Sequence, residues 1–118
     1  MRSAELLVYG IEGKAAERLQ SFAQDQGLWF RPITGLKPLL SLLRKGSRGT
    51  LVVRVGRDLR EELEMVHRAG NGFPELKIVV MSDADQPHLE GLAYDLGATC
   101  AVFPPQGNEE LIEFLRRT

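Results

Sequence analysis

Lys77-Ile78-Val79-Val80-Met81-Ser82 runs into a polar Asp83-Ala84-Asp85-Gln86-Pro87, then a helical run to Leu96, then Gly97-Ala98-Thr99-Cys100-Ala101-Val102-Phe103-Pro104-Pro105. The order is strand, loop, helix, strand. A short run dense in Val and Ile suits a strand covered on both faces, and a helix of this length serves as the crossover to a parallel neighbour. The loops that follow such strands are where chemistry is expected.

The same alternation extends in both directions. Leu6-Leu7-Val8-Tyr9 is a first strand ending at Gly10, and Gly13 to Gln26 places Ala15, Ala16, Leu19, Phe22 and Ala23 at helical spacing. Gly27 closes that helix as a left-handed cap, and Leu28 to Ile33 forms a second strand whose Pro32 suits an edge or a strand end. Trp29 within it is read as packing. A short amphipathic helix spans Leu36 to Arg44, with Pro38 in its first turn. Thr50 to Val55 is the third strand. Asp58 caps a helix from Leu59 to Ala69, with Leu59, Leu63, Val66 and His67 on or near one face, and Gly70-Asn71-Gly72 is expected to end it. The last helix, Glu109 to Arg117, has acid in its first turn and arginine in its last, as the helix dipole favours. Strands alternating with helices in this way imply an open parallel sheet with helices on both faces.

Composition narrows the function. The 118 residues fit one domain, spanning 1–118, and 43% hydrophobic content supplies a core. Fifteen basic residues against 16 acidic give a net charge of -1, so no strong field draws the chain to nucleic acid or an anionic membrane. Cys100 is the single cysteine, which excludes an internal disulfide, and its place in a strand predicts a buried, inert thiol. No apolar run reaches membrane-spanning length and Met1 to Glu5 lacks the features of a signal peptide, so a cytoplasmic location is expected.

The fourth-strand run Lys77 to Ser82, and Gly97 to Pro105 with the helix that follows, resemble the receiver domain of bacterial response regulators over essentially the whole chain. That resemblance implies the flavodoxin-like (βα)5 three-layer α/β sandwich, a five-stranded parallel sheet of order 2-1-3-4-5. It also implies phosphorelay chemistry: an aspartate accepts a phosphoryl group from a histidine kinase beside a magnesium ion held by carboxylates. Phosphoryl transfer depends on a metal and fixed positive groups to meet the charge that builds on the transferred oxygens. Carried over position by position, the acidic pair falls on Gly10 and Ile11, with Glu12 one residue further on. The acceptor aspartate falls on Val55, or on Arg54 if the register slips by one. Ser82 matches the expected hydroxyl, the lysine position holds Pro104, and the position of the aromatic switch holds Ala101.

The scaffold is therefore expected without its chemistry: a pseudo-receiver, not an enzyme, with no cofactor and no metal, acting in two-component signal transduction through a protein partner or a homodimer. The face of the fourth helix, fifth strand and fifth helix, which receivers use for dimers, would present His88, Tyr94, Arg116 and Arg117. Arg54, in an otherwise apolar central strand, should meet an acid, with Glu12 and Asp83 nearest by topology. A sharper alternative gives Arg54 and Ser82 a small anion or phosphate-bearing ligand.

Other classes fit less well. A flavodoxin-like binder of flavin or nucleotide needs backbone donors rich in Gly, Ser or Thr, and Gly10, Gly13 and Ser82 are all that is on offer. A displaced phosphoacceptor would have to be Glu12 or Asp58. His67 has no second ligand at metal spacing, and no Ser/His/Asp or Cys/His set is visible.

Overall fold

The computed structural model describes residues 4–46, 48–82, 87–102 and 108–117. Its elements are β1 (Glu5–Tyr9), α1 (Gly13–Asp25), β2 (Trp29–Pro32), α2 (Leu36–Arg44), β3 (Gly49–Arg54), α3 (Leu59–Gly72), β4 (Lys77–Met81), α4 (Pro87–Leu96), β5 (Cys100–Val102) and α5 (Asn108–Arg117). The five strands form one parallel sheet in the order β2-β1-β3-β4-β5, as the alternation and the resemblance imply.

Alternation along the strands sorts the core into two layers. Leu7, Leu51, Val53, Ile78, Val80 and Ala101 face α2, α3 and α4, packing on Leu39, Leu43, Met65, Val66, Ala69, Leu89 and Ala93. Leu6, Val8, Val52, Val79, Met81 and Val102 face α1 and α5, packing on Leu19, Phe22, Ala23, Leu111 and Leu115. β1, β3 and β4 are buried on both sides, which is why they read as unbroken apolar runs. Gly49 is fixed by a close approach: at a φ of 131°, a Cβ there would collide with the Glu5 carbonyl oxygen.

Four expectations are corrected. α3 does not stop at Ala69 but runs through Gly70, Asn71 and Gly72 to a C-cap at Phe73. Gly70 is there for packing, because a Cβ would lie 3.3 Å from the Leu96 carbonyl oxygen and 3.4 Å from Gly97 Cα. The buried stripe of α3 is Glu62, Met65, Val66 and Ala69, leaving Leu59 and His67 outside it. Trp29 is 61% exposed on the edge strand rather than packed. Cys100 is half-buried, and burial pushes its thiol above the ordinary value, in the direction of low reactivity.

Candidate functional site at the carboxyl edge of the sheet

The loops after β1 and β3 and the end of β4 converge at the carboxyl edge. Gly10 sits there with a φ of 80°, and a Cβ would come within 3.0 Å of the Arg54 carbonyl oxygen. An acidic side chain at this position would meet both a left-handed backbone and a wall. Ile11 is buried in the layer under α1 and α5, and Val55 in the layer under α2 to α4, its N–H bonded to the Met81 carbonyl at 2.8 Å. Three of the positions that the resemblance assigns to carboxylates are thus filled by core packing or by backbone contact.

Arg54, the alternative acceptor position, ends β3 half-buried, with Nη1 3.5 Å from the Gly10 carbonyl oxygen. The expected Glu12 partner is engaged elsewhere. Glu12 precedes α1 without capping it through its side chain, and its carboxylate pairs with Arg57, Nη1 to Oε1 at 3.1 Å and Nη2 to Oε2 at 3.3 Å. This exposed pair holds the Glu12 carboxyl below its ordinary range, chiefly through the guanidinium hydrogen bonds. Arg57 reaches it from the β3–α3 loop, whereas Arg54, at the end of β3, turns its Nη1 toward the Gly10 carbonyl. Asp83, the other expected partner, and Pro104 fall outside the described residues. Ser82 is buried and donates its N–H to the Val102 carbonyl at 3.2 Å.

Sequence reasoning missed Glu62. It is 1% exposed, and its two oxygens accept from three successive backbone N–H groups: Gly56 at 2.8 Å, Asp58 at 3.2 Å and Arg57 at 3.4 Å. A signal existed, since position 62 shares the 62-65-66-69 stripe of the core, where an acid has to find donors. Its neighbour Glu61 accepts from the Leu36 N–H at 3.3 Å, capping α2 from a different helix, and Asp58 caps α3 itself through the Glu61 N–H at 3.3 Å. Tyr9, at the end of β1, lies in this acidic surrounding. Burial raises its phenol above the ordinary value, and Glu61, Glu62 and Asp58 add to the rise. Asp58 and Glu12, the displaced-acceptor candidates, therefore serve as a helix cap and the partner of an arginine. Among the described residues, no three His, Cys, Asp or Glu side chains converge as a metal site.

The second set of residues lies on α4 and α5. His88 and Tyr94 are exposed on α4, and Arg116 and Arg117 are exposed at the end of α5, where both reach Glu113 at 3.8 and 3.4 Å. The structure does not gather all four, because α4 begins at the carboxyl edge with His88 while α5 ends at the amino edge with the arginines. Tyr94 has a second role. Its hydroxyl accepts from the Ala101 N–H at 3.1 Å, pinning α4 to β5. Leu92 is also exposed, one helical turn from His88.

A cavity of about 470 Å³ lies at the opposite, amino edge, against Glu5, Arg48, Lys77 and Arg116. It is remote from the loops the resemblance points to. Among the described residues, no helix is long and apolar enough to cross a membrane.

No family model matches the sequence. No curated protein matches it in sequence either. Solved structures do match in fold. The signal receiver domain of an HD domain-containing protein from Pseudomonas fluorescens Pf-5 superposes with a TM-score of 0.79 at 16% identity, covering 98% of this chain and 94% of that one. The chemotaxis protein CheY4 of Vibrio cholerae gives 0.76 at 18% identity, over 98% of both chains. NtrX from Brucella abortus gives 0.76 at 18% identity, with 98% of this chain matching 26% of that longer one. The chain has the receiver, CheY-like fold.

Proposed function

We propose that this receiver-fold domain is a non-catalytic module of bacterial, cytoplasmic two-component signalling that acts by contact with a protein partner or a second copy, without accepting a phosphoryl group. One observation carries the reading: the positions for the acidic pair and the acceptor hold a glycine at positive φ, a core isoleucine and either Arg54 or buried Val55. Phosphoryl transfer relies on positioned carboxylates, a metal and fixed cations, and a guanidinium at the acceptor position repels the metal that would assist it. The pocket residues Gly10, Ile11, Glu12, Arg54, Val55, Ser82 and Pro104 are, on this reading, a degenerate remnant. The contact surface we assign is the α4–β5–α5 face, where Tyr94 stands 46% exposed.

Intact mass after incubation with magnesium and acetyl phosphate tests the first half. No adduct is expected under conditions that label a competent receiver, and a base-labile adduct mapped to Glu12 or Asp58 would overturn the reading. Sedimentation of the wild type against a Tyr94→Ala variant tests the second half for self-association. A colourless protein without bound-nucleotide absorbance is expected, and a yellow one would favour the flavin-binding alternative.

A further inference from the structure

We infer that the first turn of α3 is an internal latch, in which Glu62 serves as a tethered anion that holds the β3–α3 loop in one fixed conformation. The inference rests in part on the non-phosphorylated reading above, which makes a ligand-independent loop meaningful. A buried carboxylate without a cation is costly unless several donors converge on it. Here both oxygens are used, by Gly56, Arg57 and Asp58 N–H groups. Three successive amides turned toward one anion form a nest, and the φ of 132° at Gly56 is the glycine-favouring backbone that turns the chain into it. The adjacent Glu61 holds the start of α2 at the same time. Two consecutive acids thus tie one helix turn to the β3 loop and to a second helix.

The consequence is conformational. In this loop the ordering anion is part of the chain, so the loop needs neither metal nor transferred phosphoryl group to take its shape. The loop keeps one shape for as long as Glu62 holds its three amides. His67 and Arg68 lie further along α3, on its exposed side, and do not enter the nest.

Amide hydrogen exchange, read residue by residue, tests the latch in the full chain. In Glu62→Gln, which keeps the volume and one acceptor oxygen, exchange at Gly56, Arg57 and Asp58 is expected to quicken by about tenfold to a hundredfold. Val52 and Val79 amides in the sheet should quicken by no more than the accompanying loss of global stability allows, and by less than the three loop amides. In Glu62→Ala, added formate is expected to restore slow exchange at the same three amides, because a small carboxylate can enter the vacated nest. Unchanged exchange at 56–58 in Glu62→Gln overturns the latch. So does an equal acceleration at every amide, since that marks general destabilisation. The acetyl phosphate experiment is independent: an adduct on the wild type defeats the functional reading while the exchange data still decide the latch.

Discussion

The loop after β3 and the helix before β5 treat their polar atoms in opposite ways. At the β3–α3 loop, backbone donors and acidic side chains are consumed within the chain: Glu62 takes three amides, Glu61 caps α2, Asp58 caps α3 and Glu12 pairs with Arg57. At α4 the Tyr94 hydroxyl accepts from the Ala101 N–H and pins the helix, while Leu92 and Tyr94 remain 42% and 46% exposed. The first region satisfies its polar groups internally, and the second leaves Leu92 and the Tyr94 ring on the surface. On the reading proposed above, that difference puts the expected function at the surface rather than in the pocket.

The contrast breaks most readily at Glu62. Replacing it with alanine leaves three amides without their acceptor, and because water can reach part of the loop the loss should be about 3 kcal/mol. Urea unfolding of Glu62→Ala measures it, and a loss below about 1 kcal/mol would mean that solvent already satisfies the loop. Tyr94 should cost less. Tyr94→Phe keeps the ring but leaves the Ala101 N–H without its acceptor, a loss of about 1 kcal/mol. Association through the ring should survive in Tyr94→Phe and fail in Tyr94→Ala, so the pair separates contact from pinning. Equal association by both variants and the wild type would remove Tyr94 from the contact surface.

Tyr9 offers a smaller effect with a defined sign. Its folded phenol is raised above 10.0, so its contribution to stability is complete below that pH and is lost as pH rises through the folded value. Stability of the wild type should therefore fall relative to Tyr9→Phe above about pH 10. Cys100 is also raised, from 9.0, and acts with the same sign, so the comparison belongs in a Cys100→Ala background. Parallel curves for the two proteins would show that neither burial nor the surrounding acids raise the Tyr9 phenol.

Most of the fold was legible because local and global signals agree. The strands β1, β3 and β4 are doubly buried and read as such, and Gly27, at a φ of 70°, ends α1 as a left-handed residue should. Legibility failed where a residue served a distant neighbour. Gly70 looks like a helix stop but makes room for Leu96 and Gly97, and Glu62 looks like a solvent residue but answers three amides in the preceding loop. Trp29 was misjudged because the edge is guarded by other means. Trp29 and Ile33 donate to Ala4 and Val8, so the backbone nitrogens of Phe30 and Pro32 face the open edge, and proline has no N–H to offer an incoming strand. At the site, the residue types at the positions that the resemblance assigns to acids could be read directly, whereas the choice of Arg57 over Arg54 by Glu12 depends on loop geometry that no spacing rule contains.

That choice provides the finest test. Glu12 is fully exposed, so its pairing with Arg57 adds little to stability, yet it should be visible in the titration of the carboxyl. The hydrogen bonds of Arg57 come first among the causes that lower it, and Arg54 contributes only at longer range. Glu12 should titrate below 4.5 in the wild type and return toward that value in Arg57→Gln or at high salt. Arg54→Gln should move it less. Whatever stability the pair adds is present above the ordinary carboxyl value and lost as pH falls through the lowered one. Side-chain carboxyl shifts followed by NMR decide between the two arginines. Should Arg54→Gln give the larger change, Arg54 would be bound to Glu12 after all, and the internal pairing at the β3–α3 loop would extend to the end of β3 itself.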